Sequence, residues 1–455
     1  MTRFRTHKSP RDIDRAIQFM VQDAHRHVPY YRHAFSREGI SPGAIRGCAD
    51  LAFLPITTKE ALLTSAEGGW LREGTDLSRC FRTSTSGTTG MVLTVRMTRP
   101  EMYYRRISLL LAMGKSLPLR LPLTLVDVGA PPVKRQADLA QRLGLVRVAY
   151  VPLESSPADQ IRVLRQLHPT ILEGRPSLLN LLADEIQRRN IADISCDLIA
   201  TTGEVLHHPV RELLQQAFSA KVRDYYNCDE VGNLAWECPE NPDTMHVNTD
   251  TCVLEVVDEE GAPVEPGCEG RVLVTSLYNR TMPFIRYAIG DRAVLQPPER
   301  DRCSCGHRGP SMRLLGGRDE DYLVFPGGKQ VSPRIPYRMV WDQLPVADCE
   351  NRVHDVVRSF QLVQETHDRF VLRVAPGPKY EPGVWDGLEE KLRSLHPNLR
   401  LSVRLEESLD LAAGVGKFSG VVSHVGRPSA PGNWRASGPP EKHPQRDGDG
   451  NGSAR

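Results

Sequence analysis

The sequence predicts an α/β fold: a large amino-terminal domain with parallel-rich sheets and an antiparallel subdomain, followed by a small α+β domain. Three observations carry this. From about residue 80 to 290 short apolar runs alternate with amphipathic stretches long enough to be crossover helices, the pattern of strands paired in parallel. From Cys252 to Val274 the runs close up around Gly261, Pro263, Pro266 and Gly267, the punctuation of hairpins. Beyond Gly316-Gly317-Arg318 the mixture changes again, to a hairpin, short helices and two close-set strand runs.

Taken in order, Ile13, Ile17, Val21 and His25 recur at near-helical spacing between charged residues, and Pro29 ends the pattern. After Leu51 and Leu54-Pro55, the run Thr57-Thr58-Lys59-Glu60 reads as a turn entering a capped helix. The strand runs of the large domain include Leu123 to Val128, Val146 to Val151 and Leu198 to Thr202. Helical patterns separate them at Ala137 to Leu143, Ala158 to Leu167 and Ser177 to Arg188. In the last domain a helix is expected near Arg338, strands at Phe360 to Val363 and Phe370 to Val374, and a helix from Val384 to Leu395. The expected division is residues 1–317, 318–425 and a tail, 426–455, whose Pro, Gly and Asp cannot build a core and which is expected to be disordered.

Composition narrows the class. The chain has 455 residues, 40% hydrophobic and 25% charged, ample for a sizeable core. It has no long uncharged apolar run of the kind that spans a membrane. The start, Met1 to Lys8, is basic with no apolar stretch behind it, so no secretory signal is visible. Lys+Arg total 58 and Asp+Glu 56, a net charge of +2; nothing in that balance calls for nucleic acid or an anionic membrane as partner. Ten cysteines without an export signal favour reduced thiols, a metal site or both. A cytoplasmic enzyme is the expectation.

Two constellations could carry chemistry. Ser84-Thr85-Ser86-Gly87-Thr88-Thr89-Gly90 sits between two strand-like runs, and its hydroxyls and backbone N–H groups could wrap phosphate oxygens. A solvated hairpin turn has the same composition. It is not the GxxxxGK[ST] nucleotide loop, because the spacing fails and no lysine follows. The second is Cys303-Ser304-Cys305-Gly306 with Cys238 and His246 upstream. Three thiols and an imidazole make a tetrahedral zinc set, structural because four protein ligands leave no open position; reduced cysteines in a loop are the alternative. His207-His208 precedes Pro209 and reads as a helix start rather than a metal site, and His168 is equally weak. Cys228 reads as a packing residue, since no activating base stands near it in sequence.

The Ser/Thr/Gly loop resembles the nucleotide-gripping signature of the adenylate-forming superfamily of acyl-CoA synthetases, luciferases and nonribosomal adenylation domains. Val28-Pro29-Tyr30-Tyr31-Arg32 and Leu54 to Glu60 resemble its phenylacetate–CoA ligase branch. Further pieces follow in that family's order. Thr201-Thr202-Gly203-Glu204 is similar to its adenine loop. Tyr226-Asn227-Cys228-Asp229-Glu230 is similar to its aromatic-Gly-x-Thr-Glu segment. Arg286-Tyr287-Ala288-Ile289-Gly290-Asp291 is similar to its ribose-binding Tyr-x-x-Gly-Asp. Gly317-Arg318-Asp319-Glu320-Asp321 is similar to its hinge, and Gly416-Lys417 to its carboxy-terminal catalytic lysine. The resemblance covers nearly the whole chain except the tail.

What the resemblance implies is an AMP-forming acid–thiol ligase using ATP, Mg²⁺ and coenzyme A. Thr85 to Gly90 would hold the β- and γ-phosphates, Tyr226 would stack on adenine beside Asn227, and Glu230 would hold Mg²⁺. Asp291 would accept the ribose hydroxyls, with Arg318 adding a donor. Lys417 would bridge carboxylate and α-phosphate once the small domain closes about Asp319 and Glu320. The acid, expected to be an aryl acid, would lie among Val148 to Val151, Glu173 to Ser177 and Thr201 to Glu204, where Tyr150 could face a ring. Glu173 and Arg175 suggest a polar acid or a mutual pair. A zinc at Cys238, His246, Cys303 and Cys305 also fits members of the branch. Three departures stand out: Met91 where a lysine is usual, Asp229 in place of threonine, and Asn227 in place of glycine. They keep open transfer to an amine or a carrier-protein thiol, or a non-catalytic member. A homodimer is a further possibility.

Overall fold

The computed structural model describes residues 9–65, 68–84, 93–129, 139–152, 155–297, 303–318, 323–331, 333–344, 356–407, 409 and 420–425. The phosphate-loop residues Thr85 to Gly90, with Met91, therefore lie outside the described residues. So do Asp319, Glu320, Asp321, Lys417 and the tail from 426. For Arg318 the backbone is described.

The amino-terminal pattern forms the helix Pro10–His27, opened by a capping box between Ser9 and Asp12. Pro29 ends it and also starts the next helix, Pro29–Arg37, because a missing N–H costs nothing at a first helical position. The pair packs Ile17, Val21, Tyr31 and Phe35 against Leu277 and Ile285. Thr58 caps the helix Lys59–Thr64 through Ala61 N–H. The strands β1 (Phe81–Ser84) and β2 (Thr94–Met97) then form an antiparallel hairpin around the Ser/Thr/Gly loop.

The core of the molecule is one eleven-stranded sheet. In chain order it uses β3 (Leu123–Val128), β4 (Val146–Val151), β5 (Ile171–Gly174), β6 (Leu198–Thr202), β7 (Lys221–Cys228) and β8 (Gly232–Glu237). It continues with β9 (Met245–Val247), β10 (Cys252–Val257), β11 (Glu269–Ser276), β12 (Tyr287–Leu295) and β13 (Ser311–Arg318). Across the sheet the order is β10-β11-β12-β13-β9-β8-β7-β6-β5-β3-β4. β4, β3, β5, β6 and β7 pair in parallel. The hairpin of β7 and β8 turns the sheet antiparallel, and it stays so to β10.

Helices Pro157–Leu167, Pro176–Arg188 and His208–Phe218 bury Leu164, Leu179, Leu182 and Phe218 with Val126, Leu172, Ile199 and Val222 of the parallel strands. The long helix Arg99–Ser116 contributes Ala112 and Met113 to a second cluster with Leu123, Ile171 and Trp236. Apolar residues thus recur on both faces of these strands, which is why the runs read as almost unbroken.

The small domain carries a two-stranded pair, β14 (Leu323–Val324) with β15 (Gln330–Val331), and a four-stranded sheet. That sheet is ordered β18 (Arg400–Leu405), β17 (Arg369–Pro376), β16 (Val357–Gln364), β19 (Val421–Ser423). Helices Arg334–Trp341 and Leu388–Arg393 cover it over Phe360, Phe370, Trp385 and Leu388. The expected helix Val384 to Leu395 is shorter than predicted. Gly387, in the left-handed region at φ 77°, separates a single 3₁₀ turn from the helix proper.

One buried carboxylate fixes the long helix to the rest. Glu101 accepts from Thr98 N–H and Oγ1, Arg280 N–H, and Thr281 N–H and Oγ1, at 2.7–2.8 Å. Burial works against its ionisation, but these donors win and hold its pKa below the ordinary glutamate value. The stability it supplies is present above the unfolded carboxylate pKa and is lost as pH falls through the lowered folded one. Glu101→Ala leaves these buried donors unmet and should cost about 2–4 kcal/mol in urea denaturation at pH 7, with the gap to wild type narrowing in acid.

Candidate active site

The connection from β3 to β4 runs to one side of β3, and β5 then pairs on the other side. That reversal opens a crevice at the carboxyl ends of β3 and β5. Gly129, Gly174, Arg175 and Ser177 follow those ends. Glu173 stands beside Asp127, and Asp127 beside Tyr150, across the strands. The predicted acid-binding stretches thus converge on one edge. Glu204, from the loop after β6, accepts from Ser177 N–H at 3.0 Å, so two of these stretches are tied together. Arg175 Nη1 is buried there without a hydrogen-bond partner.

The next edge is built by β7 and β12. Tyr226, on β7, donates its hydroxyl to Asp291 Oδ2 at 2.7 Å. Tyr287, at the start of β12, donates to Glu230 Oε1 at 2.9 Å. Glu230 is buried, and its backbone carbonyl accepts from Asn279 Nδ2 at 2.7 Å. Asp291 also stands opposite Arg318 in the β12–β13 ladder. Four residues from two sequence motifs therefore meet as two tyrosine–carboxylate pairs.

The turn that aims Tyr287 is strained. Arg286 has φ 45°, a conformation that costs a non-glycine residue on the order of 1–3 kcal/mol. Its buried guanidinium offsets this, bonding Glu255 and the carbonyls of Leu54 and Gly261 at 2.7–3.1 Å. Thr57 N–H bonds Arg286 O, and Ala288 N–H bonds Thr57 O. The Leu54 to Glu60 segment is thereby stitched beside the Tyr287–Asp291 motif.

Asp229, the departure from threonine, has its carboxylate 3.4 Å from the Thr83 hydroxyl on β1. This brings the root of the Ser/Thr/Gly loop to the Glu230 segment. Arg105 donates to the carbonyls of Asp229 and Cys228 at 2.6 and 3.2 Å, placing a cation behind the acidic pair. Gly232, at φ 95°, lies so close that a Cβ there would press on the Arg105 side chain. Asn227 accepts from Asn233 Nδ2, whose own carbonyl accepts from Asn248. Cys228 is inert: burial pushes its thiol well above the ordinary value, and its sulfur accepts from Val231 N–H. Arg105 was not legible in the sequence, because an arginine inside a helix of mixed charge carries no spacing signal.

Cys238, His246, Cys303 and Cys305 do come together, their donor atoms all within 4.8 Å of one another. Donors around a tetrahedral ion with bonds of about 2.3 Å lie roughly 3.8 Å apart, so the set fits a metal. Cys238 follows β8 and His246 is on β9, while the tight turn Cys303 to Gly306 closes with Gly306 at φ 86°. Burial opposes ionisation of Cys303, but the Cys305 N–H and the neighbouring thiols outweigh it and lower its pKa. A thiolate is the form that binds metal.

No family model matches the chain. A phenylacetate–coenzyme A ligase of Thermus thermophilus is 25% identical over 340 residues, covering 70% of this chain and 73% of that one. Among solved structures, 2-hydroxyisobutyryl-CoA ligase in its postadenylation state superposes with a TM-score of 0.73 at 18% identity, over 91% of this chain and 89% of that one. In its thioesterification state the same ligase gives 0.58 over the same shares, at 20% identity. In sequence and in fold the chain is similar to the adenylate-forming enzymes. The chain superposes better on the postadenylation form.

Beneath the tyrosine–carboxylate edge lies a buried charge cluster that the sequence did not announce. Thr201 Oγ1 donates to Asp224 Oδ1 at 2.8 Å, Glu237 Oε2 accepts from Asp224 N–H, and Arg211 bonds both Glu237 oxygens. Burial, reinforced by the charge of Glu237, pushes Asp224 up to about 7, against the Thr201 hydroxyl and Arg211. The folded state then binds this proton more tightly than the unfolded chain, so the contribution is complete below about pH 4 and is lost as pH rises through 7. Asp224→Asn should come closest to wild type in thermal unfolding below about pH 4 and exceed it increasingly as pH rises to 8.

Proposed function

We propose that this AMP-forming acid–CoA ligase activates an aryl or other carboxylic acid as its acyl-AMP and passes the acyl group to coenzyme A, as in the phenylacetate–CoA ligase branch. The observation that carries the reading is the joining of Tyr226 to Asp291 and of Tyr287 to Glu230 on one sheet edge. Asp291, oriented by Tyr226, accepts the ribose hydroxyls, and the Tyr226 ring flanks the adenine beside Gly203, Glu204 and Asn227. Glu230, held by Tyr287, is the ligand for Mg²⁺, which would supply countercharge to the α-phosphate. Thr85 to Gly90 hold the outer phosphates, and Arg105 offsets the added charge of Asp229 from behind. Arg318 donates to the nucleotide. Lys417 supplies the charge that matters only in the pentacoordinate transition state, and Asp319 and Glu320 form the hinge that withdraws it.

The acid's own position follows from the switch-point crevice. An aryl group lies along Tyr150 and Gly174, and the buried Arg175 suits an acid with an acceptor substituent. Coenzyme A is the acceptor favoured by the relatives, and an amine or carrier-protein thiol the alternative. The domain division at 317 and 318 is part of this proposal. A screen of carboxylate-dependent ATP–pyrophosphate exchange over aryl and aliphatic acids tests it. Lys417→Ala should lose exchange by at least about a thousandfold and keep conversion of a supplied acyl-AMP to thioester. Equal loss of both steps would contradict the assignment.

The cysteine–histidine set is proposed to hold a structural zinc that staples the β8–β9 hairpin to the turn before β13. Purified protein should carry about one zinc per chain by elemental analysis, and Cys303→Ser with Cys305→Ser should abolish it. Equal zinc in both proteins would end that proposal.

A further inference from the structure

His207 immediately precedes the helix His208–Phe218 of the large domain, three residues after Glu204. Its ring lies 4.5 Å from the ring of Tyr337 and 6.1 Å, nearly parallel, from that of Trp341. Both belong to the helix Arg334–Trp341 of the small domain. Tyr337 and Trp341 in turn pack on Phe360 at 5.0 and 5.3 Å, inside the small domain's core. Trp341 also packs against the large domain's helix-covered core. One imidazole thus joins the aromatic core of one domain to the adenine-loop edge of the other.

The other side of Tyr337 is covered by Gly420. A Cβ at that position would overlap the Tyr337 ring. Gly420 leads into β19, whose first residue pairs with Leu362 of β16. Lys417 precedes Gly420 by three residues, a length of chain that spans at most about 11 Å. The ring that meets His207 therefore also backs Gly420. Burial pushes the Tyr337 hydroxyl up to about 12, so it stays neutral beside the Glu204 charge.

We infer that the His207–Tyr337–Trp341 ring cluster is a docking latch that holds the small domain in the arrangement used for acyl-AMP formation, with Gly420 leaving room for the Tyr337 ring. His207 is then a positioning residue: it acts on the chemistry through the domain and does not touch the reacting atoms. Aromatic rings in tilted, edge-on or offset contact make directional contact with little side-chain entropy to lose, and contacts made in only one arrangement suffice to bias it without locking it. The inference rests on the ligase reading only for its catalytic consequence.

The test separates the two. Hydrogen–deuterium exchange on the full chain, without substrates, should show the Arg334–Trp341 amides exchanging about tenfold faster in His207→Ala, with His207→Phe restoring protection. With ATP and an accepted acid, His207→Ala should slow pyrophosphate exchange about tenfold while sparing thioester formation from supplied acyl-AMP. Gly420→Ala should act in the same direction with His207 intact. Unchanged amide exchange in His207→Ala overturns the latch whatever the enzyme does. Equal slowing of both half-reactions overturns its state specificity. Faster amide exchange in a chain that forms no acyl-AMP from any acid upholds the latch and removes the ligase reading.

Discussion

Two tyrosine hydroxyls organise one edge of the central sheet. Tyr226 and Tyr287 each hold a carboxylate that lies 65 and 57 residues away in the chain, and neither pairing is possible unless β7 and β12 are brought to one edge. The sheet does this by changing from parallel to antiparallel pairing at β7–β8 and folding back through β13. The strained turn at Arg286 then sets the direction of Tyr287. A backbone conformation unfavourable by itself is maintained by a buried guanidinium that has no better place to put its donors.

Around that edge the protein manages negative charge in layers. Glu230, Asp229 and Asp291 stand in front, Arg105 behind. Asp224 and Glu237 lie deeper, with Arg211 as their cation. Each of these carboxylates has a hydroxyl or guanidinium donor within reach. The departures Asp229 and Asn227 consequently become intelligible as parts of a network with Arg105, Thr83 and Asn233. They are not isolated losses of a hydroxyl and a glycine. The cysteine–histidine cluster adjoins the same network, since Cys238 directly follows Glu237.

Much of the fold was legible beforehand. The alternation of apolar runs and amphipathic stretches predicted β3, β4 and β6 and the helices between them to within a few residues, and the Gly/Pro punctuation predicted β10 and β11; the short strand β5 was not singled out. Pro29 was read as a stop and proved also to be a start, because the same missing N–H suits both positions. The helix expected from Val384 was cut by Gly387, a break that apolar periodicity does not register. His207 was set aside as a helix flank, which it is; its packing against Tyr337 depends on a residue 130 positions away and no local pattern contains it.

The sequence by itself determined the alternation of strands and helices, the identity of the chemical groups and the order in which they arrive. Those properties are local, written in periodicity, capping and the spacing of a few residues. Tertiary structure alone decided which groups meet: Tyr287 with Glu230, Arg105 behind Asp229, Asp224 between Thr201 and Glu237, and three thiols with one imidazole. Each of these depends on strand order and crossover direction, through which chain-distant residues become neighbours and burial changes the cost of their charge.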